Sequence, residues 1–336
     1  SGTKSWTVFY YERGKKKRAT VGRWPGMGLR AARAERDKIK AQAAGHDAIT
    51  LAQFIEAEYL PHIGQELRSA REAERIIRKD ILPELRARPV VQITRRECTQ
   101  VLDRVRDRGA SEMAVATYAR LRRVLQYAVE RGIRDDNPAQ AMQVRQGSAR
   151  DRVLSKTELA AWWPALIRGD VPIVPRLALT LVLATGQRLG EVLEMEPGDL
   201  ELMDSVWIIP GAKAKNGHTH SVPLTDWALA LVGETRQLHP DSDRVFPVSA
   251  DTVRTYMRQT IQAAKLKRAT PHDLRRTVAT HLGGLGHSRQ VQDKILNHVD
   301  QTVGGIYDQH TYDPEKRAAL EDWAAEFERI TSEGAV

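Results

Sequence analysis

Thr270-Pro271-His272-Asp273-Leu274-Arg275 opens a stretch whose residue types suit the breaking of a phosphodiester. Thr270 is a good N-cap, Pro271 suits the first helical position, and Asp273 completes a T-x-x-D capping pattern. A helix beginning there puts His272 and Arg275, three apart, on one face of its positive end. Free backbone N–H groups at that end favour an anion such as phosphate. Downstream come Leu296-Asn297-His298 and, nine residues after that histidine, Tyr307, whose phenol can serve as a nucleophile. An isolated H-x-x-R describes equally well two residues that cap and solvate a helix, so its companions elsewhere in the chain decide the matter.

Two such companions lie upstream. Arg188 follows Ala184-Thr185-Gly186, where an apolar helix over 177–184 is expected to break. Segments 205–210 and 220–224 read as two strands, and Asn216-Gly217 between them is a strong hairpin signal, directly preceded by Lys215. These residues need elements to hold them, and the rest of the chain supplies the pattern for those elements. A capping box at Ser155-Lys156-Thr157-Glu158 opens the region. Trp162 and Trp163 in its helix read as packing residues. From about 250 onward the pattern is helical throughout, ending in the acidic segment 313–336, with 7 acids against 3 bases.

The front of the chain differs in character. Of the formal net charge of +9, residues 1–45 carry 12 Lys+Arg against 3 Asp+Glu, whereas residues 151–336 carry 21 against 25. A basic excess at one end suits a polyanion partner, because phosphate contacts supply most non-specific affinity for nucleic acid. A solvated basic tail is the plainer alternative. Residues 6–24 alternate and are rich in β-formers, which predicts a hairpin with a basic turn, followed by a helix over about 29–44. Thr50 with Gln53 opens an all-helical region, with helices expected at about 51–61, 68–80, 94–107 and 111–131. In the last of these, Val115, Tyr118, Leu121, Leu125 and Val129 form the expected apolar stripe, leaving Arg120, Arg122 and Arg123 on other faces.

The expected fold is therefore multidomain and mainly α. It has a small β-hairpin-plus-helix N-terminal module (1–46), an all-helical domain (50–140), a linker (141–152), a mixed α+β, mostly helical domain (153–312) and a C-terminal tail helix (313–336). No apolar run is long enough to span a membrane, and the single Cys98 fits a reducing cytoplasm without an internal disulfide. No Cys/His cluster has zinc spacing. Ser1-Gly2 in place of an initiator Met reads as a cleavage scar on a chain trimmed at its N-terminus.

Taken in order, Arg188, Lys215, His272-x-x-Arg275, His298 and Tyr307 strongly resemble the succession Arg, Lys, His-x-x-Arg, His and Tyr of the tyrosine recombinase (phage integrase) family. The match covers about 150–312, and His220-Ser221-Val222-Pro223-Leu224 resembles the strand that follows the lysine in integrases of prophages and genomic islands. The helical region before it is similar to the family's core-site binding domain, and the basic front module to the end of its N-terminal domain. Departures are small: Asn297 stands where Gly is usual and Arg276 where His is common. Gly304-Gly305 suggests a flexible approach for Tyr307.

The resemblance implies a site-specific recombinase that cleaves and rejoins DNA through a 3′-phosphotyrosyl intermediate, integrating or excising a mobile element. Tyr307 would be the nucleophile, His272 would take or relay its proton, and Arg188 and Arg275 would grip the non-bridging oxygens. Lys215 would protonate the departing 5′-oxygen, and His298 would donate a further hydrogen bond. With two guanidiniums no cofactor or metal is required. Implied partners are double-stranded DNA attachment sites and three further copies of the chain, as a homotetramer on two duplexes. Accessory DNA-bending and directionality proteins are further partners the resemblance implies, and the expected location is the cytoplasm, at the nucleoid. Rivals stay open: Lys213 for Lys215, Tyr312 for Tyr307, and a Xer-like resolvase, a type IB topoisomerase or a non-catalytic DNA-binding protein for the whole. Glu191 is expected to orient an arginine or support the fold, His281, His287 and His310 to be surface or capping residues, and Arg254 and Arg258 to touch DNA or solvent. The acidic tail could pack in cis or on a neighbouring protomer, the exchange of C-terminal helices in the family making the second attractive.

Overall fold

The structure, a computed structural model, describes residues 4–12, 15–43, 49–66, 69–144, 151–214, 216–298 and 310–333. It divides into two compact units, Ser1–Ala149 and Arg150–Val336. Among the described residues no helix is long and apolar enough to cross a membrane.

In the first unit, strands β1 (Ser5–Glu12) and β2 (Lys15–Arg23) pair antiparallel, with Trp6 opposite Gly22 and Tyr10 opposite Lys17. Helix α1 (Leu29–Ala43) lies against this hairpin through buried Ala32, and Val8 is buried on the hairpin's side. The Trp6 indole donates to the Met27 carbonyl at 2.7 Å, which closes the corner between them. A side chain at Gly22 would meet the Met27 sulfur at 2.6 Å and would have to push that flexible side chain aside. At the other end of α1, Lys40 pairs with Asp135 at 2.6 Å.

The helical remainder begins at Thr50, whose N–H donates to Gln53 Oε1 (2.9 Å) while Gln53 N–H donates back to Thr50 Oγ1 (3.3 Å), the expected capping box. The two first helices run longer than the pattern indicated, because each is carried past its weak point by a π-helical turn. Thus α2 (Leu51–Phe54) continues through Ile55–Tyr59 into α3 (Leu60–Glu66), and α4 (Ala70–Ile76) continues through Ile77–Ile81 into α5 (Leu82–Leu85). Helices α6 (Arg95–Asp107) and α7 (Ser111–Glu130) complete the bundle. The buried stripe of α7 is Ala114, Thr117, Leu121, Val124, Leu125 and Ala128. This is rotated from the expected stripe, and Val115, Tyr118 and Val129 are only half-buried. Small residues at 114, 117 and 128 let neighbouring helices approach, and Thr117 also donates to the buried Asp80 at 3.2 Å, which Arg108 neutralises at 2.5 Å.

The second unit is built round α9 (Ile173–Thr185), in which every residue from Leu177 to Thr185 is buried. It touches α11 (Asp226–Leu238), α12 (Ala250–Ala263) and α13 (Pro271–Gly284), which explains a helix apolar on all sides. Helix α8 (Lys156–Ile167) starts at the expected box, Ser155 N–H donating to Glu158 Oε2 at 3.0 Å. Arg152 at 2.7 Å from Glu158 draws that carboxyl down to about 2. Trp162 is fully buried with its indole N–H on Thr260 Oγ1, and Trp163 packs edge-on against Phe327, as packing residues should.

A three-stranded antiparallel sheet lies to one side, β3 (Leu200–Glu201), β4 (Val206–Ile209) and β5 (His220–Pro223), with Trp207 opposite Val222 and Ile209 opposite His220. The short β3 leaves no periodicity to detect in two residues. Helix α14 (Arg289–Ile295) follows α13, and α15 (Asp313–Glu333) closes the described chain. Despite its acidity, α15 packs on its own chain: Ala319, Leu320, Trp323, Phe327 and Ile330 are buried in the unit's core, and the Trp323 indole donates to the Leu183 carbonyl at 2.8 Å.

Candidate DNA-cleavage site

Arg188, His272 and Arg275 converge. Helix α9 ends at Gly186, which holds a left-handed φ of 67° and where a side chain would press on Val278 at 3.3 Å. The chain then turns into α10 (Leu189–Leu193), with Arg188 as its N-cap residue. The Arg188 guanidinium lies 2.7 Å from Glu191 Oε1, and the other oxygen of Glu191 accepts the Arg188 N–H at 3.0 Å. Glu191 is buried and so holds Arg188 from both ends, the orienting part foreseen for it. Arg188 keeps some exposure, and a bound anion could reach it.

The other wall is the first turn of α13. The Asp273 carboxylate, buried, accepts hydrogen bonds from Thr270 N–H and Oγ1, both at 2.8 Å. That fixes the helix start and sends His272 outward and Arg275 inward. Arg275 is 2% exposed and donates to the Gly186 carbonyl at 2.9 Å and to the Leu296 carbonyl. Burial, then the charge of Arg188, lowers its pKa to about 10, against the opposing pull of Glu191, so it stays a cation at neutral pH. His272 is exposed, yet partial desolvation, followed by the charges of Arg276, Arg275 and Arg188, holds its pKa below the ordinary value, with Asp273 pulling the other way. Its ring is therefore neutral at pH 7 and able to accept a proton.

Arg188 and His272 line one cleft of about 1070 Å³ with Arg254, Arg258, Lys265 and Arg268. The one carboxylate among its lining residues is Asp251, which pairs with Arg254 at 2.8 Å. Such a wall favours a polyanion.

The end of α14 forms the floor of the site. Three successive carbonyls there are gripped from elsewhere in the unit. Ile295 receives Gln187 Nε2 at 2.9 Å and His220 Nε2 at 3.1 Å, Leu296 receives Arg275, and Asn297 receives Asn216 Nδ2 at 3.0 Å. His298 follows at once, exposed, with Nδ1 2.9 Å from Asp293 Oδ1, which leaves its other ring nitrogen open. Asp293 is itself held by Arg289 at 2.9 Å, and these partners outweigh burial to lower its pKa.

Three family models cover nearly all of the chain. That described as the phage integrase family matches residues 152–313, the phage integrase central domain matches 43–145, and the Arm DNA-binding domain matches 1–53. The chain belongs to the phage integrase family. It is a site-specific tyrosine recombinase of the prophage integrase type. Prophage integrase IntA of Escherichia coli (strain K12) is 25% identical over 96% of this chain and 86% of its own length. The integrase of Shigella phage Sf6 is 25% identical over 96% and 90% respectively. A lambda integrase tetramer bound to a Holliday junction superposes with a TM-score of 0.64 at 20% identity, covering 88% of this chain and 94% of that one, so the fold is shared.

In this integrase, four of the six residues singled out in the sequence fall in described positions: Arg188, His272, Arg275 and His298. Arg188, His272 and Arg275 share the site, and His298 follows the floor that Arg275 holds. Lys215, Tyr307 and Gly304-Gly305 lie outside the described residues. Their two rivals are occupied elsewhere. Lys213 is clamped by Asp199 at 2.6 Å and Glu196 at 3.1 Å, which outweigh its burial and raise its pKa. Tyr312 accepts from Gln290 at 2.6 Å and packs on the unit's core, with Lys294 over its ring. His287 and His310 pair with Asp322 and Glu315, in keeping with surface residues, whereas His281 is half-buried, bonded to the Leu154 carbonyl and stacked on Trp323, so it ties the core rather than capping a helix. Sequence reasoning missed Gln187, Asp293 and the part played by Asn216. The last was legible only as a turn signal.

Proposed function

We propose that this chain recombines double-stranded DNA at attachment sites to integrate or excise a mobile element, working as a homotetramer on two duplexes. Tyr307 attacks the phosphorus, forming the O–P bond to the phenol. The P–O5′ bond breaks, leaving a 3′-phosphotyrosyl link and a free 5′-hydroxyl that attacks the partner strand. At a pKa near 10 only about one phenol in a thousand is ionised at pH 7. The nucleophile therefore calls for an acceptor, and neutral His272 beside the arginines fits that part. Arg188 and Arg275 neutralise the charge of the pentacoordinate phosphorus, Lys215 gives O5′ its proton, and His298 donates a further hydrogen bond. Two guanidiniums supply the positive charge, so this reading calls for no metal ion.

The basic N-terminal module would bind arm-type DNA sequences, the helical region 50–140 the core half-sites, and the region 153–312 the scissile linkage, with the enzyme at the nucleoid and accessory bending proteins as further partners. The placing of Arg188 and His272 on one basic cleft, with buried Arg275 close enough to bear on the charge of both, is the observation that carries the reading. A Xer-like resolvase fits less well, because the Arm DNA-binding match at 1–53 marks the integrase arrangement. The test is covalent trapping on a nicked suicide substrate. Tyr307→Phe should bind the DNA and form no adduct on a denaturing gel, and an adduct from that variant would overturn the choice of nucleophile.

A further inference from the structure

We infer that Asn216 and Asn297 form a latch that holds the hairpin turn bearing Lys215 against the loop bearing His298, making both asparagines positioning residues for protonation of the leaving 5′-oxygen. The inference rests on the assignment of Lys215 as general acid. Asn216 is half-buried, and its amide is used in both directions. Oδ1 accepts the His218 N–H at 3.1 Å, which shapes the turn, while Nδ2 donates to Asn297 at both its backbone carbonyl (3.0 Å) and its Oδ1 (2.8 Å). Asn297 Nδ2 points back to Asn216 Oδ1 at 3.4 Å.

The turn is anchored on its other flank too. Ala214, the residue before Lys215, is buried, and its carbonyl accepts the Gly217 N–H at 3.2 Å. A side chain at Gly211 would collide with the Gly217 carbonyl at 2.4 Å, so the hairpin's two arms are closely apposed there. Asn297 in turn holds a φ of 49°, a left-handed conformation that asparagine tolerates better than other residues with a side chain. It stands directly before His298, at the end of the floor that Arg275 grips. The latch is thus a bond across 81 residues between the two neighbours of the implied general acid and the implied phosphate donor. A lysine on a flexible stem delivers a proton only when its backbone is placed, because misplacement by about 1 Å costs on the order of a hundredfold.

The experiment compares adduct formation on two DNA substrates, one natural and one with sulfur in place of the bridging 5′-oxygen at the scissile linkage. On the natural substrate the proton passes from the ammonium to O5′ as the P–O5′ bond breaks. On the second the P–S bond breaks and sulfur leaves as thiolate, which needs no proton because its thiol pKa is about 8.5. Asn216→Ala removes the three contacts with Asn297 and the one from His218, and should slow the natural reaction by at least about tenfold, yet react within about twofold of the parent on the sulfur substrate. Asn297→Gly keeps the carbonyl and the backbone conformation but loses the two side-chain contacts, and should slow the natural reaction by a smaller factor, roughly threefold. Equal slowing of Asn216→Ala on both substrates, or none on either, overturns the latch. Lys215→Ala run in parallel separates the two layers: if sulfur rescues it and not Asn216→Ala, the general acid stands and the latch falls. If sulfur fails to rescue Lys215→Ala, the general-acid assignment falls and the latch with it.

Discussion

His220 offers a measurement that needs no DNA. The residue lies in β5, 7% exposed, with Nε2 on the Ile295 carbonyl. Burial above all, then the charge of Lys316 and those of Arg275 and Arg188, lowers its pKa from 6.5 to about 3, and only the Ile295 carbonyl favours the charged ring. Lys316, which donates to the Ser221 carbonyl at 2.7 Å, is paired with Asp313 at 2.6 Å, so that carboxylate offsets some of its repulsion. The folded state therefore refuses a proton that the unfolded chain accepts. Stability is intact above pH 6.5 and is lost as pH falls from there toward 3. Each pH unit in that window costs about 1.4 kcal/mol, so lowering pH to 4.5 should remove on the order of 3 kcal/mol through this residue alone.

The control is His220→Gln, whose amide can still donate to Ile295 but does not titrate. Urea unfolding of the full chain, followed by tryptophan fluorescence, suits the purpose. Five of the seven tryptophans, Trp162, Trp163, Trp207, Trp227 and Trp323, lie in the unit that contains His220. The carboxylates held below their usual range, such as Asp293 and Asp313, respond alike in both proteins and cancel in the difference. The parent should lose on the order of 3 kcal/mol more than the variant between pH 7.5 and 4.5. If the two lose the same amount, burial does not hold His220 neutral and the tether to Ile295 is not what the structure indicates.

Two further outcomes concern the reaction itself. Lys213→Met should leave suicide-substrate cleavage within about threefold of the parent while lowering the melting temperature, because Lys213 is clamped by Asp199 and Glu196 and a partly buried pair is worth roughly 1–2 kcal/mol. A loss of cleavage near a hundredfold would instead make Lys213 the acid. The cleavage rate of the parent should stay level as pH falls to 6.5 and decline only below it, because His272 holds its pKa under the ordinary value and must be neutral to accept a proton. A decline with its midpoint above pH 7 that vanishes in His272→Gln would contradict that environment.

What the sequence made legible is what short segments encode by themselves. The capping boxes at Thr50, Ser155 and Thr270, the strands on either side of Asn216-Gly217 and the break at Gly186 each depend on residues within a few positions. The ordered set of basic residues then pointed to one site. The floor of that site was not legible, for a physical reason. Gln187 reaches Ile295 across 108 residues, His220 reaches it across 75, and the acceptor in each case is a backbone carbonyl. Any residue supplies a carbonyl, so the partner leaves no trace in the pattern. The acidic α15 has a related limit: its charge is conspicuous in the sequence, but Trp323, Phe327 and Ile330 on one stripe decide which face is buried.

The two helix ends at the site bring opposite properties to it. The first turn of α13 presents the positive end of its dipole beside His272, while the last carbonyls of α14 form a negative end whose acceptors, left over by the helix, are taken by Gln187, His220, Arg275 and Asn216. Arg275 belongs to the first helix and satisfies a carbonyl of the second, so the guanidinium that would grip a phosphate also fixes the loop from which His298 extends. Lysine in that position would keep a charge but could not bridge Gly186 and Leu296 with a planar fork. The requirement for arginine therefore has two sources, the planar phosphate and the carbonyl floor, and the second operates before any DNA arrives.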